Sequence, residues 1–356
     1  MQPKNRKKRI LVAPLNWGLG HATRCIPIIE GLINHGFEPV LASDGIALDL
    51  LKKEFPQLES TELPPYQISY SKTKYFFKLK LVQNTPRILK AIKAEKKTVK
   101  DIVYNLNIDG IISDNRFGAF DKNIPCIFIT HQLQVLSGST TWLSTKLHQK
   151  IIKRFHECWV PDNPGQLNLS GQLGHMYISG LSIKYIGPLS RFEKRETQKT
   201  YDIMVLLSGP EPQRGILENI LLTELRRYKG SVLFIKGKVE KAQSIVEENN
   251  LCIYNFMTSA ELENGINSSE VIISRSGYTT IMDLTKLSKK AFFIPTPGQF
   301  EQEYLAKRLD QQGLVPTCSQ KVFDLTQLER LKNYTGLKSM DYQLNYKRLF
   351  GLFKCE

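Results

Sequence analysis

Three polar loops carry the residue types that could do chemistry. The first is Asn16-Trp17-Gly18-Leu19-Gly20-His21, between an apolar run and a segment of helical spacing. Its glycines allow a sharp turn and bring backbone N–H groups beside a helix N-terminus, where anions are favoured. His21 titrates near neutral pH and is the candidate base. Asn16, Gly18 and Gly20 would line the acceptor side with it. The second loop is Ser208-Gly209-Pro210-Glu211-Pro212-Gln213-Arg214. It suits phosphate contact through backbone N–H groups, with Arg214 as charge partner. The third starts at Ser274 and holds Arg275, Ser276, Gly277, Tyr278, Thr279 and Thr280. Asp283, one helical turn past Thr279, could accept from a ribose diol. Glu301 and Gln302 follow the next apolar run and could hold sugar hydroxyls. A phosphate, a ribose and a second sugar would thus be met in chain order. Each loop also reads as an ordinary capped turn; their combined placement favours a ligand site.

Strand ends must position these loops. Apolar runs at 9–15, 39–43, 110–113, 126–130 and 157–161 read as strands, and 22–35 carries apolar residues at helical spacing up to Gly36. The stretch 187–200 is polar and charged and reads as a linker. A second series follows at 202–208, 231–237, 251–256, 270–274 and 290–295. Strands alternating with helices imply parallel sheets covered on both faces, which bind ligands at the carboxyl ends of their strands. The expected division is 1–190, 201–328, and a partly helical segment 329–356 that packs on the first domain.

The chain has 356 residues and no run of about 18 apolar ones, so no membrane-spanning helix is expected. The basic start MQPKNRKKRI enters a strand-like run without a signal-peptide apolar region. The expectation is a cytoplasmic protein, peripheral on the cytoplasmic face of the membrane. The six cysteines are scattered, without CxxC spacing, so neither zinc nor another metal site is expected. A net charge of +15 asks for an anionic partner. Nucleic acid is disfavoured, since no RNP-like, KH-like or zinc-finger pattern occurs. Lys72, Lys74, Lys78, Lys80, Arg87, Lys90, Lys93, Lys96, Lys97 and Lys100 face only Glu95, with Tyr70, Tyr75, Phe76 and Phe77 among them. That pattern suits either a solvated helix or docking on an anionic membrane surface. The first loop is not a dinucleotide fingerprint, because Thr23 stands where GxGxxG needs its last glycine.

Arg275, Ser276, Gly277, Thr280 and Asp283 match an R-[AS]-G-x-x-T turn with an acid eight residues after the arginine. On these residues the chain resembles the GT-B glycosyltransferases of family 28, the family of the peptidoglycan enzyme MurG. The resemblance implies an α/β architecture of two Rossmann-like domains facing a cleft. It implies that Asp283 binds the nucleotide ribose, that Ser276–Thr280 approach the diphosphate, and that Glu301, Gln302 and Glu303 contact the donor sugar. It also points to Phe256-Met257 as reading the base. The first loop, Gly18 to Cys25, is similar to the GxGHxxRC loop of a nucleotide-sugar hydrolase of the pseudaminic acid pathway, where the histidine activates water. Asp114 and Arg116, in Ser113–Gly118, would bind acceptor. The expected function is transfer of a sugar from a nucleoside diphosphate donor, UDP-linked, to a lipid-linked or glycan hydroxyl. It would need no cofactor, and inversion is what the resemblance implies. Arg275 would offset charge on the leaving diphosphate. The alternatives are hydrolysis with His21 activating water, and a non-catalytic nucleotide-sugar-binding subunit.

Overall fold

The computed structural model describes residues 6–66, 77–209, 211–238, 240–340, 342 and 344–354, and for 77–86 the backbone alone. The chain divides into two units. Among the described residues, the first comprises 6–66, 78–189, 342 and 344–354, and the second Phe77 and those of 190–340. Each is built on a mainly parallel sheet, as the alternating apolar runs require, so the two Rossmann-like halves are present.

In the first unit the strands are β1 (Arg9–Pro14), β2 (Glu38–Ser43), β3 (Ser60–Glu62), β4 (Gly110–Asp114), β5 (Cys126–Ile129), β6 (Glu157–Val160) and β7 (Ile183–Tyr185). They stand in the order β3-β2-β1-β4-β5-β6-β7, all parallel. The helices are α1 (Gly20–Asn34), α2 (Gly45–Glu54), α3 (Phe77–Asn105) and α4 (Thr141–Ile152). β1, β2, β4, β5 and β6 have almost fully buried residues, as strands covered on both faces must. Leu11, Ala13, Val40, Ile111 and Phe128 lie in one core cluster. β3 and β7, three-residue edge strands, escaped the apolar-run criterion because they are only half buried.

The second unit holds β8 (Tyr201–Leu206), β9 (Val232–Ile235), β10 (Ile245–Glu248), β11 (Leu251–Tyr254), β12 (Ser269–Ser274) and β13 (Lys290–Phe293). Their order is β10-β11-β9-β8-β12-β13, parallel except where β10 pairs antiparallel with β11. β10 (IVEE) is mostly exposed and has no apolar signature. The helices are α5 (Gln213–Leu225), α6 (Ser259–Asn267), α7 (Tyr278–Lys286) and α8 (Phe300–Gln311). Residues 186–200 carry neither helix nor strand.

The expected C-terminal segment 329–356 divides. Its first part finishes a 3-10 helix, Leu325–Asn333, within the second unit. Its last part forms α9 (Tyr346–Leu349) and a 3-10 turn, Phe350–Phe353, on the first unit. There Tyr346 donates to the Pro27 carbonyl at 3.0 Å. Phe350 packs 5.7 Å from the Phe37 ring and 6.3 Å from Trp159. Two glycines admit these rings, since a Cβ on Gly31 would stand 2.5 Å from Tyr346 and one on Gly110 2.5 Å from Phe353. Among the described residues no helix is long and apolar enough to cross a membrane.

Candidate active site

In both units the order of strands reverses beside the first strand, and this is where an open parallel sheet leaves a crevice. In the first unit the reversal falls between β1 and β4. The loop leaving β1 turns at Gly18, whose φ of +76° an L side chain adopts only with strain. It enters α1 at Gly20, so His21 sits in the first helical turn. β4 ends at Asp114. His21 Nδ1 lies 2.8 Å from Asp114 Oδ1. Asp114 is fully buried, while the His21 side chain keeps 15% of its exposure.

Four donors converge on the Asp114 carboxylate. His21 and Arg24 Nη2 reach Oδ1. Arg24 Nε reaches Oδ2 at 2.5 Å, and Cys25 Sγ stands 3.7 Å from the same oxygen. Burial alone would discourage the charge, but Arg24 and His21 outweigh it and hold this carboxyl well below the usual range. For His21 burial is the largest influence and lowers its pKa. Asp114 works against that, and Arg24 adds to it. The imidazole is therefore neutral near pH 7, as a general base must be. Burial, then Asp114, push the Cys25 thiol well up, so it stays a protonated donor.

The structure corrects the acceptor-side assignments. Asp114 is inaccessible and serves His21 from beneath. Arg116 is fully buried too: it pairs with Asp44 at 2.6 Å and Glu95 at 2.8 Å and donates to the Pro64 carbonyl at 3.1 Å. Asn16 donates to the other Asp44 oxygen at 2.9 Å. Glu95 also accepts from Tyr66 at 2.5 Å and from the Gly118 N–H at 2.7 Å. Asn16 and Arg116 thus belong to one buried polar network that fixes the loops after β1, β2 and β4.

In the second unit, Ser208-Gly209 follows β8, Phe256-Met257 follows β11 and Arg275–Gly277 follows β12, all at the carboxyl edge of the sheet. Ser208 and Gly209 are exposed. Gly237, after β9, has φ +67°, and a Cβ there would collide with the Leu207 carbonyl. The β9 turn therefore props the Ser208-Gly209 loop directly. Phe256 and Met257 are half-buried; Asn255 Oδ1 accepts from the Phe256 N–H at 2.9 Å. A capping box of Thr258 and Glu261 starts α6 just beyond. Its T-x-x-E spacing was readable from sequence and was missed.

Two arginines do not face a diphosphate. Arg275 is 1% exposed. Its Nη1 donates to the carbonyls of Ile294 and Pro295 at 3.0 and 3.1 Å, and its Nη2 to the Gln213 carbonyl and Gln320 Oε1 at 2.8 and 2.7 Å. Burial pulls its pKa down to about 10, which leaves it charged at neutral pH. It is an internal clamp tying β12, β13 and the start of α5. Arg214 is 4% exposed and is held by Glu211, Glu218 and the Lys236 carbonyl. What α7 can present to an anion is its N-terminus. Gly277 caps it without a side-chain hydrogen bond, and only the Thr280 hydroxyl, at 3.9 Å, comes near a Cβ placed there. Backbone N–H groups of Tyr278, Thr279 and Thr280 begin the helix, at the end where the helix dipole favours negative charge. The Tyr278 side chain is buried, and Thr279 and Thr280 are half-buried. Ser276 is fully buried and donates to the Gln302 carbonyl at 2.8 Å.

Asp283 accepts from the Ser190 hydroxyl at 2.7 Å. Burial pushes its carboxyl up to about 7, against the pull of Ser190 and Arg191. Gln302 Oε1 accepts from the Thr296 N–H at 2.8 Å, and Glu303 Oε1 from the Gly298 N–H at 2.9 Å. Glu301 lies beside them in the first turn of α8. These side chains shape the turn after β13 as well as facing its surface.

Comparison with known proteins agrees with this fold. Residues 215–343 match the glycosyltransferase family 28 C-terminal domain. The UDP-N-acetylglucosamine--N-acetylmuramyl-(pentapeptide) pyrophosphoryl-undecaprenol N-acetylglucosamine transferase of Clostridium botulinum is 23% identical over 350 residues, 90% of this chain and 92% of that one. In fold, MurG of Acinetobacter baumannii superposes with a TM-score of 0.56 at 12% identity, covering 98% of this chain and 99% of that one. The glycotransferase of kitacinnamycin gives 0.62 at 13% identity, covering 92% and 93%. The chain is a MurG-like glycosyltransferase whose second unit carries a family 28 C-terminal domain, with the GT-B fold of two Rossmann-like domains.

Proposed function

We propose that this enzyme moves a sugar from a UDP-linked donor to a hydroxyl of a lipid-linked acceptor, with His21 as general base. The observation that carries the reading is the 2.8 Å contact between His21 Nδ1 and the buried Asp114 carboxylate. With Nδ1–H directed to Asp114, the Nε2 lone pair is available to take the acceptor proton as its oxygen attacks the anomeric carbon. The imidazolium that forms is stabilised by the carboxylate beneath it. Attack from the face opposite the nucleotide inverts that carbon. In the second unit, the N-terminus of α7 and the Ser208-Gly209 backbone meet the negative charge growing on the leaving diphosphate. Asp283 accepts from the ribose, Phe256-Met257 flank the base, and Glu301-Gln302 hold the sugar. The Clostridium botulinum relative is named for a UDP-N-acetylglucosamine donor and a pyrophosphoryl-undecaprenol acceptor, which supports both substrate classes.

A membrane-borne acceptor fits the described part of α3. Glu95, Val99 and Ile102 are buried on one side. Lys90, Lys93, Lys97 and Lys100 are exposed on the opposite arc, together with Leu89 and Tyr104. Such a stripe suits anionic headgroups of the cytoplasmic leaflet. Tyr70, Lys72, Lys74, Tyr75 and Phe76 lie outside the described residues. For Phe77, Lys78 and Lys80 the helical backbone alone is described.

The test is incubation of the full chain with UDP-sugars and a lipid-linked acceptor, with the anomeric configuration of the product read by NMR. Inverted product that His21→Ala abolishes is the expected result. Undiminished transfer by His21→Ala would overturn the role of the base. Stoichiometric release of free sugar in the presence of acceptor would overturn transfer.

A further inference from the structure

His21, Arg24 and Cys25 fall at positions i, i+3 and i+4 of α1, so one helix face carries all three toward Asp114. The histidine and the carboxylate are accounted for by base catalysis. The arginine is not, yet it is 2% exposed and among the largest fully buried side chains of the chain. A buried guanidinium costs several kcal/mol unless every donor is used in good geometry. Here Nε and Nη2 grip the two oxygens of Asp114, Nη2 lies 2.9 Å from His21 Nδ1, and Nη1 lies 3.1 Å from His131 Nδ1.

Nη2, Oδ1 and Nδ1 form a triangle, and the triangle poses a tautomer question. If His21 Nδ1 accepts from Arg24, its proton sits on Nε2 and the ring is no base. If Nδ1 donates to Asp114, Nε2 is free of a proton. A carboxylate is the stronger acceptor for a hydrogen bond, and Arg24 already donates to it. The second arrangement therefore has both donors pointing at the anion, and the Arg24–His21 contact follows from their shared acceptor. A proton added to His21 would place a second cation within 3 Å of the guanidinium. We propose that Arg24 is a positioning residue of the transfer: it clamps Asp114 beneath His21 and so fixes the imidazole tautomer that leaves Nε2 unprotonated. This rests on His21 being the base.

The charged and titratable groups acting on His21 are Asp114 from β4, Arg24 from α1 and His131 after β5, while Cys25 of α1 faces the Asp114 carboxylate. His131 in turn neighbours His148 of α4, which burial holds down at about 4 and therefore neutral. Arg24 is the one permanent cation in this set.

The experiment is imidazole nitrogen NMR of the full chain in a pH titration, with His21 assigned by its loss in His21→Gln. The wild type should show the Nδ1–H tautomer alone. In Arg24→Gln the His21 midpoint should rise by about one to three pH units, because an opposing cation is gone while the carboxylate remains. The single tautomer should be lost as well. Arg24→Lys keeps the cation with one donor head. It should hold the midpoint down and still mix tautomers, and it carries the test alone if the glutamine variant does not fold. In turnover, the acidic limb of the pH profile of kcat/KM should move with the NMR midpoint. The proposal is overturned if the wild type shows Nε2–H. It is equally overturned if a folded Arg24 variant keeps the wild-type tautomer. These readings do not depend on turnover, so an active His21→Ala would overturn the base assignment and leave the Arg24 result standing.

Discussion

Replacing Arg275 by alanine separates two roles that one guanidinium cannot fill at once. As a diphosphate partner it would matter only when donor is bound. As a clamp it matters to the folded protein itself. The structure gives it four acceptors, the carbonyls of Ile294, Pro295 and Gln213 and the Gln320 side chain. Truncation strips a donor from each, and a buried acceptor left bare costs about 1–3 kcal/mol. Water entry and relaxation recover part of that, so the net loss should be about 3–5 kcal/mol. Unfolding of the full chain in urea should show the second unit's transition moved to lower denaturant at unchanged slope. On heating, the same loss should lower its midpoint by roughly 10 °C. Arg275→Lys should recover about half, since one ammonium reaches two of the four oxygens. Binding of a UDP-sugar, measured under conditions where the variant is folded, should weaken only as far as the β12 turn loosens. A variant as stable as the wild type, with donor affinity lowered more than tenfold, would refute the clamp and return Arg275 to the phosphate.

Asp283 carries a pH prediction. Burial raises its carboxyl to about 7, so it is mostly protonated at pH 6 and mostly ionised at pH 8. UDP-sugar affinity should rise about tenfold over that range, the ratio of ionised fractions, and Asp283→Asn should flatten it. Calorimetry at both pH values checks this. Gly237→Ala places a Cβ on the Leu207 carbonyl at a positive φ. It should cost about 1–3 kcal/mol in urea unfolding and weaken UDP binding through the Ser208-Gly209 loop. Lys93→Gln with Lys97→Gln removes two cations from the α3 stripe. At about 1 kcal/mol each, sedimentation with anionic vesicles at low salt should fall about thirtyfold while neutral vesicles show no change.

What could be read beforehand follows from chemistry that is local in the chain. The buried strands announce themselves because parallel strands covered on both faces are continuously apolar, as in Leu11–Ala13 and Val271–Ile273. β3, β7 and β10 do not, because edges are short and half wet. His21 was legible from its glycine-rich loop. Its partner was misassigned, because Asp114 lies 93 residues away, and only the pairing of β1 with β4 brings the two together. Arg275 and Arg214 show the opposite failure. A guanidinium in a glycine-containing turn suggests phosphate, yet whether it faces out or in depends on carbonyls supplied by distant segments. Gln320 and Gln213 carried no signal of that kind. Ser190, which holds Asp283, was hidden in a stretch that reads as linker.

The placement of Tyr342–Lys354 on the first unit bears on how the chain is made. Phe350 and Phe353, both nearly inaccessible, complete a core whose other members begin at Ile10. Residues 190–341 are contiguous and have left the ribosome before these aromatics emerge. The half that starts first is thus the half that can finish last. Until then it exposes the seats of Phe350 and Phe353 beside Phe37 and Gly110, reversing the usual order in which domains mature during synthesis. A nascent chain stalled before residue 342 should hold a protease-resistant second half and a first half still open to cleavage.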